Sequence, residues 1–181
     1  MHRYKYASAI ILAALFAVAP LSRALAAETI TATAKTKTRG GTETTAPVKI
    51  TIDRFSTDAE REAVLAALKS KGTEGVRTLL STRSQIGSIQ VGSQQTPLKY
   101  IFARTTAAGR LITAVAGSPI TAGGGAAAPK GFDLGLVIVE VAASGGHGEL
   151  LPATKVKLDD QGAIVTDGHS DEVVQLTNIG K

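Results

Sequence analysis

Residues 132–143 read FDLGLVIVEVAA. Apart from Asp133 and Glu140 nothing in the run is charged, and its apolar residues fall on both parities. A run of this kind is a strand covered on both faces, the centre of a sheet. Working outward, the chain keeps the same texture. Upstream, Leu98 to Arg104 and Leu111 to Ala116 flank a turn at Ala107-Ala108-Gly109-Arg110, and Ile86, Ile89 and Val91 mark a shorter strand. Between Gly117 and Gly131, SPITAGGGAAAPK is a loop of small residues with little to bury. Downstream, Ser144 to Gly148 is a turn. Leu150 to Leu158 follows with Thr154, Val156 and Leu158 on one face and Lys155 and Lys157 on the other. Asp159-Asp160-Gln161-Gly162 is a hairpin turn. Ala163 to Thr166 and Val173 to Ile179 close the chain around a polar turn at Asp167 to Asp171.

The N-terminal side adds a hairpin and two helices. Thr29 to Arg39 is threonine-rich with Ile30, Ala32 and Ala34 on one parity, and Gly40-Gly41 is a turn. Val48, Ile50 and Ile52 then alternate with Lys49, Thr51 and Asp53, a period of two. The first strand is thinly apolar and carries Lys35, Lys37 and Arg39, which suits an exposed edge or a frayed tail. Thr57 and Glu60 form a capping box, and Ala63, Val64, Ala67 and Leu68 lay an apolar stripe on the helix that follows. Gly72 stops it, and Thr73 opens a shorter helix with Val76, Leu79 and Leu80 on one side. The order predicts a mainly β, α+β fold: an antiparallel β-sandwich or open barrel with two helices inserted after the N-terminal hairpin.

The sequence has 181 residues, 18.6 kDa, 44% of them hydrophobic and 4% aromatic. Residues 1–26 have the three parts of a secretory signal peptide: Arg3 and Lys5, an apolar run from Ala7 to Ala19, and small residues Ala24 and Ala26 before the cut. The run is short of the roughly 20 residues that span a bilayer. Residues 27–181 are then a single β-rich domain, exported to a periplasmic or extracellular location and without a stable membrane anchor once the signal is removed. Removing the signal takes Lys+Arg from 20 to 17 against 15 acids, and the formal charge from +5 to +2. That small charge and the scarcity of exposed rings speak against nucleic acid as a partner. No Cys occurs, and no Met or Trp beyond residue 26, which excludes disulfides, thiolate metal sites and thiol catalysis.

DRFSTDAEREAVLAALKSKGTEGVRTLL (53–80), KYIFAR with GRLITAV (99–115), and KLDDQGAIV with VVQLTNI (157–179) resemble a family of exported bacterial proteins with no assigned function. The resemblance covers about Arg54 to Ile179. It implies an envelope or secreted location, and it carries over no site residue and no cofactor.

Four clusters are candidates for chemistry. Asp167, His169, Asp171 and Glu172 in TDGHSDE could converge on a cation, and a solvated turn accounts for the same residues. His147, with Ser144 and Glu149, has the elements of a triad but sits in one Gly-rich loop. Gly123-Gly124-Gly125 lacks the G-K-[ST] of a phosphate cradle. Glu140 shares parity with Leu134, Leu136 and Ile138, which places a carboxylate on an apolar face. Arg104, on the parity of Leu98, Tyr100 and Phe102, is its expected partner. The first functional expectation is a non-catalytic envelope or secreted domain acting through protein or small-molecule contacts, with no catalytic, cofactor or metal residues. The alternative is a small hydrolase or metal-dependent enzyme using the Asp167–Glu172 cluster or Glu140. A third is adhesion through the threonine-rich hairpin.

Overall fold

A computed structural model describes residues 27–37, 43–121, 129–143, 145–160, 162–169 and 173–180. The chain runs β1 (Glu28–Lys37), β2 (Glu43–Ile52), α1 (Asp58–Ser81), β3 (Gly87–Val91), β4 (Gln94–Thr105), β5 (Gly109–Ala116), β6 (Leu134–Ala142), β7 (His147–Leu158), β8 (Ile164–His169) and β9 (Val174–Gly180). Every pairing is antiparallel. Neighbours follow sequence order from β1 to β7; β7 then pairs with β9, and β9 with β1. The ring closes, so the architecture is an eight-stranded closed barrel, not a sandwich or an open barrel.

The closing strand is β1. It was expected at an edge because it is thinly apolar. In the barrel it lies between β2 and β9, and Ile30, Ala32 and Ala34 point inward at 0%, 8% and 4% exposure. Alanine is enough there, because the bore of a small barrel holds only one layer of side chains from each wall. The long β7 is paired twice along one edge. Gly148–Leu150 meets β9, and Thr154–Leu158 meets β8, which extends past the ring as a hairpin.

Two apolar clusters follow from the period-2 alternation. One fills the bore, with Ile50, Ile89, Leu98, Ile101, Val137, Leu150 and Leu176 at its centre. The other lies outside, where Tyr100, Val115, Leu134, Leu136 and Leu151 receive Val64, Leu65, Leu68, Val76 and Leu80 of α1. β6 is therefore covered on both faces, as its composition predicts. Each such aliphatic contributes about 1.5–3 kcal/mol on burial.

The two expected helices follow one another directly, as the two arms of the kinked α1. Thr57 caps it: its hydroxyl accepts from Glu60 N at 3.2 Å, and Glu60 accepts from Thr57 N at 2.8 Å. Gly72 is the break between the expected helices, and here it is a kink at φ 59°, ψ −150°, a conformation that side chains exclude. The kink sets Thr73 against β7, where its hydroxyl donates to Val156 O at 3.2 Å and accepts from Val156 N at 3.0 Å. A register shift between Lys155 and Val156 leaves that backbone free to be met.

Candidate functional site

The two ends of the barrel differ. At one end Glu28 of β1 and Arg110 of β5 meet at 2.5 Å, with side chains 16% and 20% exposed. β1 and β5 are four strands apart in either direction around the ring, so this ion pair crosses the bore. Phe55, on the segment after β2, completes the closure with the Arg110 guanidinium 5.5 Å from its ring centroid. The segment is fixed by Ser56, which donates its N–H to Ile101 O at 2.7 Å and accepts from Ile101 N at 3.1 Å. None of these groups was singled out from the sequence. The signal was available: Glu28 shares the parity of Ile30 and Ala32, and Arg110 that of Ile112 and Ala114.

The opposite end is open among the described residues. It forms a cavity of about 590 Å³ with Ala34, Ala46, Val91 and Val174 among its apolar walls. Thr36, Thr44, Ser93, Gln94 and Thr121 supply hydroxyls and an amide. Thr36 and Thr44 are hydrogen-bonded to each other at 2.8 Å, which fixes two of the rim hydroxyls. One side of the bore is filled from this end by Ile120, which is 3% exposed and anchored by its N–H to Pro152 O at 2.8 Å. The 117–131 segment was expected to bury little, and Ile120 is the exception. It lies on Gly135, where a Cβ would come within 2.4 Å of Ile120 Cγ1. The space that remains is on the β1–β2–β3 side. Among the described residues that line it none is titratable, and what they offer is hydrogen bonds and apolar surface.

The residues selected from sequence lie elsewhere. Glu140 is 19% exposed, at the end of β6 on the outward face. Its expected partner was Arg104, but Leu111 stands between them: Arg104 pairs with Leu111, and Leu111 with Glu140, in one cross-strand row. Glu140 instead accepts from the Thr106 hydroxyl at 2.9 Å, and His147 Nε2 lies 3.6 Å from its other oxygen. Thr106 also accepts from Gly109 N at 3.1 Å and so closes the β4–β5 turn. His147 is 81% exposed.

Asp167 and His169 were expected in a turn, but β8 continues through both. Asp167 faces Lys157 at 3.2 Å, as a cross-strand charge pair. Asp171, Glu172, Ser144 and Gly123 to Gly125 fall outside the described residues. Among the described residues no group of three or more His, Asp and Glu side chains is placed to hold a metal ion. No helix among them is long and apolar enough to cross a membrane.

The strongest electrostatic feature is at the start of α1. Arg54 donates to both oxygens of Glu60 at 2.8 Å. This bond, with help from Thr57 N and the charges of Arg54 and Arg83, lowers the Glu60 carboxyl to about 2. Comparison with protein-family profiles, curated proteins and solved structures returns no match, so the functional reading rests on the geometry.

Proposed function

We propose that this chain is an exported, non-catalytic binding domain of the envelope or extracellular space, and that its open barrel mouth takes a small neutral ligand. The observation that carries the reading is the 590 Å³ mouth, whose described lining consists of small aliphatics, hydroxyls and an amide with no ionisable group among them. Volumes of about 300–1,000 Å³ with few polar groups are those of small-molecule sites, and barrel mouths are frequent places for them. Export is supported by the signal-like residues 1–26 and by the resemblance to an exported family. The hydrolase alternative has less support: Glu140 touches a hydroxyl and an imidazole, but that hydroxyl is engaged in a turn.

Titration of the chain beginning at Ala27 with the neutral fluorophore N-phenyl-1-naphthylamine tests the mouth. Saturable fluorescence is expected, weakened about tenfold or more by Thr44→Phe, which places a ring across the rim. Absence of saturation, or equal affinity in the variant, refutes the reading. N-terminal mass analysis of exported protein tests the location, with Ala27 expected as the first residue.

A further inference from the structure

A second cavity lies outside the barrel. It is a groove of about 160 Å³ between the start of α1, the outward face of β4 and β5, and the turn joining β7 to β8. Its floor is apolar and largely sealed: Tyr100 is 2% exposed and Leu65 7%, with Phe102 and Leu111 beside them. Two guanidinium groups border this floor. Arg61, from α1, lies over the Phe102 ring at 5.1 Å from its centroid. Its ion-pair partner is Glu62 at 3.1 Å, a side chain 70% exposed and easily displaced. Arg104 follows Phe102 by two residues on the same face of β4, about 7 Å further along the strand. Among the described residues Arg104 makes no hydrogen bond or ion pair.

Two cations beside an aromatic floor select for an anion with an apolar body. Guanidinium groups bind a planar carboxylate through paired N–H donors, and an adjacent low-polarity surface strengthens those bonds. A cavity near 150 Å³ is the size that accepts one benzene ring. The walls come from a helix and two strands, with Gly162 to Ile164 along one side, so the backbone of helix and strands is set before a ligand arrives. Asp159, in the turn joining β7 to β8, has one carboxylate oxygen engaged by Ala163 N at 2.7 Å. We infer that this groove is a second binding site, for a small carboxylate with a single-ring or equally compact apolar body. The carboxylate is held by Arg61 and Arg104 and the body rests on Phe102 and Leu111, above the buried Tyr100.

The test is an amide chemical-shift titration of the chain beginning at Ala27 with sodium benzoate, with benzamide and inorganic phosphate in parallel. Saturable shifts are expected at residues 61–65, 100–104, 111–113 and 162–164. Arg104→Gln and Arg61→Gln should each weaken benzoate about tenfold or more, and Arg104→Lys less. Thr44→Phe should leave benzoate affinity unchanged, so that failure at the barrel mouth and failure here are separate results. Benzamide binding as tightly as benzoate, or phosphate shifting the same amides at the same concentration, overturns the inference. So does unchanged benzoate affinity in either glutamine variant with a native spectrum.

Discussion

Replacing Arg110 with Met removes the cation from the ion pair that spans the closed end of the barrel. The Met side chain keeps an apolar stem against Phe55, so the change is chiefly electrostatic. Glu28 is left 16% exposed, without the guanidinium and on the inner face of β1. Breaking one side of a buried pair costs about 3–5 kcal/mol, and of an exposed pair about 0–1 kcal/mol. At this burial the site stands nearer the first limit. Glu28 keeps a further interaction, which offsets part of the loss. Loss of the contact with the Phe55 ring adds about 0.5–1 kcal/mol. The expected total is about 2–3 kcal/mol, a fall in midpoint of roughly 4–12 °C for a domain of this size. Urea unfolding followed by far-ultraviolet circular dichroism measures it. Adding Glu28→Gln to Arg110→Met should recover about 1 kcal/mol or more, because the carboxylate that lost its guanidinium no longer carries a charge. Single effects below about 0.5 kcal/mol, or strictly additive effects in the double variant, would show that the pair is a solvated surface contact and that this end is not plugged.

Four further outcomes follow from the same geometry. The Glu60 carboxyl is lowered from its usual 4.5 to about 2, so its stabilisation is complete above about pH 4.5 and lost as pH falls through 2. With Arg54 about half exposed, solvent screening holds this to about 1 kcal/mol, and acid titration of Glu60→Gln against the parent should show the difference vanish in that window. Burial raises the Tyr100 hydroxyl to about 12, and Tyr100 is the one tyrosine after residue 26; absorbance at the phenolate band should therefore stay flat through the ordinary range near pH 10. Gly135→Ala forces Ile120 off its seat and should cost about 1–3 kcal/mol by overpacking, read by thermal unfolding. Glu140→Gln and Arg104→Met should act additively, because Leu111 separates them; a coupling above about 0.5 kcal/mol in the double variant would restore the pair expected from parity.

Much of the local structure was legible because its causes are local. The capping box at Thr57 and Glu60, the break at Gly72 and the inward parity of Val48, Ile50 and Ile52 all depend on residues within a turn or a strand of one another. The boundary of β8 was misplaced because Asp167, Gly168 and His169 have turn composition. Their strand state is supplied from across the sheet, by pairing with β7 and by Thr154 donating to Gly168 O at 2.8 Å. The candidate sites fared differently. Glu140 was picked correctly as a carboxylate on an apolar row, but its partner was not, since parity gives the face of a strand and not its neighbour.

The sequence by itself determined where most of the strands lie, though not all their ends, where α1 begins and bends, and which side chains face together, because alternation and capping are properties of neighbouring residues. Only the tertiary structure decided that the ring closes. Closure is the meeting of β1 with β9, about 145 residues away along the chain, and no local pattern encodes that contact. The same closure places Glu28 opposite Arg110 and, among the described residues, leaves a cavity at the other end, so both the plug and the mouth exist only once strands distant in sequence share one bore.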